Sequence, residues 1–158
     1  MPSLDVLAAG LLHRLNQRGY TLSLAESCTG GAVSSALTDQ PGSSAVLGLC
    51  VVAYSDDAKV TVLGVDPDEL ARYGPVSPQI ASAMAMGVRR LACTTHAAAV
   101  TGVTGPASHA GARPGTVVTA VDGREGTSVR RHAFEGDRLS VKEQAAFALL
   151  SHLSDEIH

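Results

Sequence analysis

The fold of this chain is decided by residues 22–31, which read Leu22-Ser23-Leu24-Ala25-Glu26-Ser27-Cys28-Thr29-Gly30-Gly31. The apolar character of residues 21–26 predicts a β-strand, and a short helix is predicted over residues 29–39. At the junction the chain places a hydroxyl, a thiol, a second hydroxyl and a glycine pair. A strand, a turn and a helix in this order are how an α/β protein presents a nucleophile or holds an anion.

Length, composition and charge limit the class of protein. The chain has 158 residues, 45% of them hydrophobic, so we expect a single domain over residues 1–158. The formal net charge is −3, the arginines are scattered, and three Tyr and two Phe leave few rings to stack on bases. We therefore expect no nucleic-acid partner.

The cysteines and the apolar runs indicate the compartment. Three cysteines without CxxC spacing predict neither a disulfide framework nor a zinc site. The N-terminus has no basic segment followed by a long apolar one, and no run approaches the roughly 20 apolar residues of a membrane span. We expect a cytoplasmic protein in a reducing environment, without a metal and without membrane association.

Helix-like and strand-like patterns alternate along the chain without a linker. The predicted strands are residues 21–26, 46–54, 97–103, 116–121 and 127–134. The predicted helices are one between Ser3 and Gly19, then 29–39, a short helix through Lys59, 67–73, 78–92 and 138–153. The long apolar run 46–54 predicts a strand buried on both faces. The order predicts an α/β fold, a three-layer α/β/α sandwich on a mixed, mostly parallel sheet with a C-terminal antiparallel hairpin.

Three loops follow apolar strands, at residues 27–31, 54–59 and 101–106. In open α/β sheets, ligands bind beyond the carboxyl ends of the strands. We therefore expect these loops to converge on one site.

The first loop offers backbone amides at the start of a predicted helix. Thr29, Gly30 and Gly31 can bring these amides and the positive end of the helix dipole to a phosphate or a developing oxyanion. The alternative is that Ser27 or Thr29 only caps the helix and that the glycines pack against the sheet.

Lys59 closes the second loop and is one of only two lysines in the chain. A buried lysine with a lowered pKa can take the proton of a serine, and Tyr54 can orient the amine or relay the proton. The alternatives are a solvated surface lysine, or a thiol nucleophile, Cys28, paired with a histidine. No histidine shares a motif with Cys28, which more often packs in a core.

The third loop repeats the hydroxyl and glycine chemistry of the first. Thr101 can position a substrate, and amides around Gly102 and Gly105 can bind a phosphate or an oxyanion; the alternative is a plain turn. Arg138 starts the last helix, where a cation is unfavourable. A bidentate phosphate contact explains its position, and the alternative is a surface pair with Asp137.

Seven motifs, taken in order, resemble one known family. They are AESCTGG at 25–31, VAYSDDAK at 52–59, LGV at 63–65, GPVS at 74–77, TGVTGP at 101–106, PGTV at 114–117 and GDR at 136–138. Over essentially the whole chain the sequence is similar to the CinA C-terminal domain family, also called nicotinamide-nucleotide amidases. The resemblance implies hydrolysis of nicotinamide mononucleotide to nicotinate mononucleotide and ammonia, which recycles the pyridine nucleotide.

The same resemblance implies roles for the candidate residues. Ser27 is expected to be the nucleophile, Lys59 its general base and Tyr54 a support for the pair. Thr101 and Arg138 are expected to hold the nucleotide and its phosphate, while backbone amides of residues 29–31 stabilise the oxyanion.

No cofactor or metal is implied for this chemistry. The expected partners are a small-molecule nucleotide substrate and further copies of the chain, in a homodimer or higher homo-oligomer. A second function remains open, a non-catalytic nucleotide-binding or interaction module of the same fold.

Two segments depart from the family pattern. Asp56 and Asp57 stand where the family commonly has Asn-Glu, and the added negative charge is expected to raise the pKa of Lys59, which opposes a role as base. Residues 107–113 are less rich in glycine and lead into the 114–117 motif one residue short, which changes the substrate contacts available from this loop.

Overall fold

A computed structural model describes residues 2–158 of the chain. Within these residues five strands form one sheet, and their bounds are β1 Leu22–Glu26, β2 Leu47–Val52, β3 His96–Gly102, β4 Thr116–Gly123 and β5 Gly126–Ala133. The α-helices are α1 Leu4–Gln17, α2 Ala32–Thr38, α3 Asp56–Thr61, α4 Pro67–Tyr73, α5 Pro78–Ala92 and α6 Arg138–Glu156, with a 3-10 helix at Ser43–Ala45.

The sheet is mixed, in the order β2-β1-β3-β4-β5. β1 pairs in parallel with both β2 and β3, and its last residue, Glu26, lies opposite Val52 and Val100. β4 runs antiparallel to β3, and β4 and β5 form the predicted antiparallel hairpin. The carboxyl ends of the first three strands therefore lie side by side at one edge of the sheet.

Helices cover both faces of the sheet, which confirms the predicted α/β/α sandwich. Successive residues of β3 alternate between two cores, with Ala98 and Val100 facing α1, α2 and α6, and Ala97 and Ala99 facing α4 and α5. Within residues 2–158 no helix is long and apolar enough to cross a membrane.

Two local expectations were wrong. β2 is an edge strand whose residues are half-buried or exposed, because it has a strand neighbour on one side only, so it is not buried on both faces. α2 begins at Ala32 and not at 29, because Gly30 and Gly31 both have positive φ, 60° and 100°, and carry the chain through a turn first.

Glu26 fixes that turn. Its side chain is fully buried at the end of β1 and accepts five hydrogen bonds from the turn and the first residues of α2. The donors are the Thr29 hydroxyl, the amides of Gly31, Val33 and Ser34, and the Ser34 hydroxyl. A buried carboxylate is stable only when so satisfied, and here it binds amides of the turn after Ser27 and of the first residues of α2.

Gly87 lets α5 approach the segment that carries Lys59. A Cβ at Gly87 would lie 2.0 Å from the carbonyl oxygen of Leu63, so any side chain would push α5 away. The Val65 amide in turn donates to the carbonyl of Lys59 at 3.1 Å. α5 thereby holds α3 and its lysine against the sheet.

A hydrogen-bonded chain crosses the sheet–helix interface below α6. Glu156 can only accept, so the Ser128 hydroxyl donates to it at 2.9 Å and must accept from Nε2 of His152. Burial lowers the pKa of His152 to about 4, so its ring is neutral at pH 7. With Nε2 donating, Nδ1 of the neutral ring accepts from the Thr119 hydroxyl, which in turn accepts from Nε2 of His132.

Replacing Glu26 by Gln is expected to destabilise the fold by about 2–4 kcal/mol, because the amide NH2 would face backbone N–H donors that lose their acceptor. The loss is measured by urea unfolding, with the exposed Glu125→Gln as the matched control. A Glu26→Gln variant as stable as the wild type would show that the carboxylate does not hold the turn.

Protonation of His152 is expected to destabilise the protein at acid pH. Its pKa is about 4 in the fold and about 6.5 when unfolded, so the unfolded chain takes up the proton first as the pH falls below 6.5. The contribution to stability is present above that pH and is lost progressively down to pH 4, in total roughly 3 kcal/mol.

The measurement is the free energy of unfolding between pH 7.5 and 4.5. His152→Gln is expected to be less stable at pH 7.5 but to lose less stability on acidification than the wild type. The exposed His13→Gln is the control and should keep the wild-type slope. Equal slopes for all three proteins would contradict a neutral buried His152.

Candidate active site

The three loops converge, as predicted, on a cavity of about 250 Å³ at the carboxyl ends of β1, β2 and β3. It is lined by seven of the predicted residues, Ser27, Tyr54, Lys59, Thr101, Gly102, Gly105 and Arg138. Hydroxyls, an amine and a guanidinium thus share one small space.

Ser27 and Lys59 are in contact. Nζ of Lys59 lies 3.1 Å from Oγ of Ser27, and it also reaches the main-chain carbonyl of Tyr54 at 3.3 Å. The lysine is 2% exposed and the serine 6%. Lys59 is therefore a buried amine beside a hydroxyl and not a solvated surface charge.

Two opposing effects act on the pKa of Lys59. Burial lowers it and is the larger effect, while the carboxylate of Asp56, 3.8 Å from Nζ, raises it. The net pKa lies below the ordinary value of a lysine. Asp56 raises the pKa of Lys59, as expected, but desolvation lowers this pKa by more. Asp57 is exposed and is not among the groups that act on Lys59, so the expectation was wrong for this residue.

The competing nucleophile, Cys28, is unsuited to attack. Its side chain packs into the core beneath the cavity, and burial raises the pKa of the thiol to about 12. Since the thiolate is the reactive form, this environment disfavours Cys28 as the nucleophile.

Tyr54 links two parts of the cavity in an unexpected way. Its main-chain carbonyl accepts from Lys59, but its hydroxyl, at the far end of a largely exposed side chain, accepts from Arg138 at 2.9 Å. The phenol does not contact Lys59, so the predicted proton relay has no hydrogen bond to run through.

Arg138 bonds only uncharged oxygens. Nη1 donates to the carbonyl of Gly105 at 2.7 Å and Nη2 to the Tyr54 hydroxyl. Asp137 caps α6 by accepting from the Ser140 amide and does not pair with the arginine. The guanidinium therefore spans two loops with its charge available to an anion.

Thr29, Gly30 and Gly31 are not where the sequence analysis expected them. None of the three lines the cavity, and the Thr29 hydroxyl and the Gly31 amide are both used by Glu26. Of the predicted amides, that of Gly31 donates to the Glu26 carboxylate and that of Gly30 donates to the carbonyl of Ser27.

Other backbone amides take their place at the cavity wall. Among residues 2–158 the N–H groups of Cys28, Thr104 and Gly105 have no hydrogen-bond acceptor, and all three residues line the cavity.

Thr101 offers the cavity a hydrogen-bond acceptor and not a donor. Its hydroxyl donates to the carbonyl of Pro75 at 2.8 Å, so only the oxygen lone pairs remain for a ligand.

Two residues of importance were missed by the sequence analysis. No role was predicted for Glu26, although a glutamate at the end of an apolar strand indicates a buried carboxylate with hydrogen-bond donors around it. His109 lines the cavity from the loop after β3, and no periodicity or spacing pointed to it.

Comparisons with known proteins agree on one family. Residues 4–157 match the model of the CinA C-terminal domain. A CinA-like protein of Anaeromyxobacter sp. strain K is 45% identical over 150 residues, covering 94% of this chain and 37% of the relative. Another, of Geotalea daltonii, is 42% identical over 156 residues, covering 98% of this chain and 37% of the relative. The chain thus spans little more than a third of the length of these curated relatives.

Solved structures of similar proteins have the same fold over nearly the whole of this chain. The competence damage-inducible protein A of Klebsiella pneumoniae is 36% identical, with a TM-score of 0.95 over 98% of this chain and 97% of that one. The competence or damage-inducible protein of Enterobacter asburiae is 33% identical, with a TM-score of 0.97 and full coverage of both chains. With a family model matched over nearly its whole length, the chain belongs to the CinA C-terminal domain family.

Proposed function

We propose that this chain hydrolyses the carboxamide of nicotinamide mononucleotide to nicotinate mononucleotide and ammonia, with Ser27 as nucleophile and Lys59 as base. The observation that carries the proposal is the 3.1 Å contact between Oγ of Ser27 and Nζ of the buried Lys59. A hydroxyl beside a desolvated amine is the arrangement of an acyl-transfer site. The choice of substrate follows from the resemblance to nicotinamide-nucleotide amidases.

The contacts of Lys59 favour the proton transfer. Nζ of Lys59 donates to the main-chain carbonyl of Tyr54 at 3.3 Å, and the carboxylate of Asp56 lies 3.8 Å away, beyond hydrogen-bond distance. In the protonated form Nζ donates to Oγ of Ser27 at 3.1 Å; in the neutral form its lone pair can take the Ser27 proton across the same contact. The Tyr54 carbonyl thereby holds the amine beside Ser27, while Asp56 raises the pKa of Lys59 and so opposes the effect of burial.

The attack forms a bond from Oγ of Ser27 to the amide carbon while the proton passes to Lys59. The developing oxyanion needs N–H donors that are already in place. The Cys28 amide, directly after the nucleophile and without an acceptor among residues 2–158, is the donor best placed by sequence.

Breakdown of the tetrahedral intermediate breaks the carbon–nitrogen bond. The Lys59 ammonium returns its proton to the leaving nitrogen, and ammonia departs. Thr101 presents only lone pairs, so it accepts from the carboxamide NH2 and orients the leaving group. Water, deprotonated by the same lysine, then attacks the acyl carbon. The bond to Oγ breaks, the Lys59 ammonium returns the proton to Ser27, and the carboxylate product leaves.

A non-catalytic nucleotide-binding module is the second candidate, favoured by one observation. The Asp56 carboxylate lies 3.8 Å from Nζ of Lys59 and stabilises the protonated amine, which cannot act as a base. A folded wild-type protein that binds nicotinamide mononucleotide but releases no ammonia would support this candidate over the amidase.

The proposal includes the expected cytoplasmic location and homo-oligomeric state. Sedimentation of the purified chain measures the oligomeric state directly.

Replacement of Ser27 by Ala is expected to reduce the release of ammonia from nicotinamide mononucleotide by about 10³-fold or more, because the acyl-enzyme cannot form. Cys28→Ala is the neighbouring control and is expected to keep most of the activity. Activity lost in Cys28→Ala but retained in Ser27→Ala would assign the thiol as nucleophile instead.

The pH profile of kcat/KM is expected to report Lys59. The neutral amine is the active form, so kcat/KM rises with pH through the pKa of Lys59, which lies below its ordinary value. Asp56→Asn removes a charge that raises this pKa and should move the acid limb to lower pH.

Asp57→Asn is the matched control, since Asp57 is adjacent and exposed but does not act on Lys59. Its profile should overlay that of the wild type. An acid limb that stays in place in Asp56→Asn, or moves equally in both variants, would mean that Lys59 is not the titrating base.

A further inference from the structure

The loop between β3 and β4 is held in a defined shape. At its base the amides of Val103 and Gly115 donate to the carbonyls of Thr116 and Val103, at 2.9 and 2.7 Å. At its tip His109 and Ala112 exchange both backbone hydrogen bonds, at 3.1 and 2.9 Å, around a two-residue turn. Hydrogen bonds at the base and at the tip of the loop therefore fix the backbone position of His109.

His109 is exposed and lines the same cavity of about 250 Å³ as Ser27, Lys59 and Arg138. Among residues 2–158 no group makes a hydrogen bond to its ring nitrogens, although the main-chain N–H and C=O of the residue are both used. The ring is thus free to contact a ligand.

The charges in the cavity are divided between two ends. Tyr54 binds both basic side chains of the cavity, because its main-chain carbonyl accepts from Lys59 while its hydroxyl, at the other end of the residue, accepts from Arg138. Asp56, the one carboxylate among the described lining residues, lies beside Lys59. The Arg138 end therefore carries positive charge without a counter-charge.

His109 and Arg138 line the same cavity, and Arg138 donates to the carbonyl of Gly105, four residues before His109 on the same loop. A guanidinium and an imidazole N–H in one small cavity are donors that suit a phosphate monoester, since its three oxygens accept more hydrogen bonds than one arginine supplies once the arginine also binds the protein.

We propose that His109 and Arg138 together bind the phosphate of the substrate, so that His109 determines the preference for a nucleotide over the corresponding nucleoside. The identity of the nucleotide rests on the proposed function. The amide end of the substrate then lies at Ser27 and Lys59, and its phosphate at the opposite end of Tyr54.

The kinetic test compares nicotinamide mononucleotide with nicotinamide riboside, which lacks the phosphate. In His109→Ala, KM for the mononucleotide is expected to rise about tenfold, the value of one charge-assisted hydrogen bond, while kcat stays within about twofold. Both constants for the riboside should be unchanged. His109→Gln, which keeps an N–H donor, should recover part of the affinity.

Ser108→Ala is the matched control, because Ser108 is exposed on the same loop but does not line the cavity. It should behave as the wild type, and equal melting temperatures should show that the loop variants are folded. An equal loss for both substrates would place the imidazole against the pyridine ring. That result, a loss confined to kcat, or an unchanged KM would overturn the proposal.

A binding measurement separates this proposal from the amidase proposal. Calorimetry with the products, nicotinate mononucleotide and nicotinate riboside, needs no turnover. The wild type is expected to bind the mononucleotide more tightly than the riboside, and in His109→Ala the ratio of the two dissociation constants should fall about tenfold. Absence of ammonia release with this preference intact would refute only the amidase, whereas a wild type without the preference would refute the role of His109.

Discussion

The buried carboxylate of Glu26 is the interaction on which the site depends. It ends β1, the central parallel strand, and accepts from three amides and two hydroxyls of the following turn and helix. A charge at 0% exposure is stable only with such a complete set of donors, so the backbone has little freedom around it. Ser27 is the next residue, and its direction is set by this constraint. Its own amide is held by the carbonyl of Val100, which ties the turn to β3 as well.

The same carboxylate occupies the amides at the start of α2, which are the usual place for an anion. The donors left at the cavity are therefore Arg138, which spans two loops, and the amides of Cys28, Thr104 and Gly105, which have no acceptor among residues 2–158. Tyr54 joins the two basic side chains of the cavity, since its carbonyl accepts from Lys59 and its hydroxyl from Arg138. In the proposed function, the Lys59 end of the cavity carries out the reaction and the Arg138 end binds the phosphate.

Much of the fold could be predicted from the chain because its signals are local. α4 and α5 have the predicted bounds, since proline in the first turn and an aspartate or serine cap mark the start of each helix. The hairpin of β4 and β5 followed from two apolar runs around a short polar turn. The exposure of β2 and the late start of α2 were not predictable in this way. The exposure of β2 depends on its place at the edge of the sheet, and the start of α2 depends on the Glu26 carboxylate that binds the turn before it.

Residue type and spacing were enough to predict the α/β class and the three loops that follow apolar strands, and to suggest a serine paired with one of two lysines. The burial of Lys59 to 2% exposure, the excess of desolvation over the effect of Asp56, and the contact of the Tyr54 hydroxyl with Arg138 became visible only in the fold. Burial and charge–charge distances depend on contacts between segments far apart in sequence, which residue spacing does not contain. His109 illustrates this most clearly, because only the folded loop brings it to the cavity of Ser27.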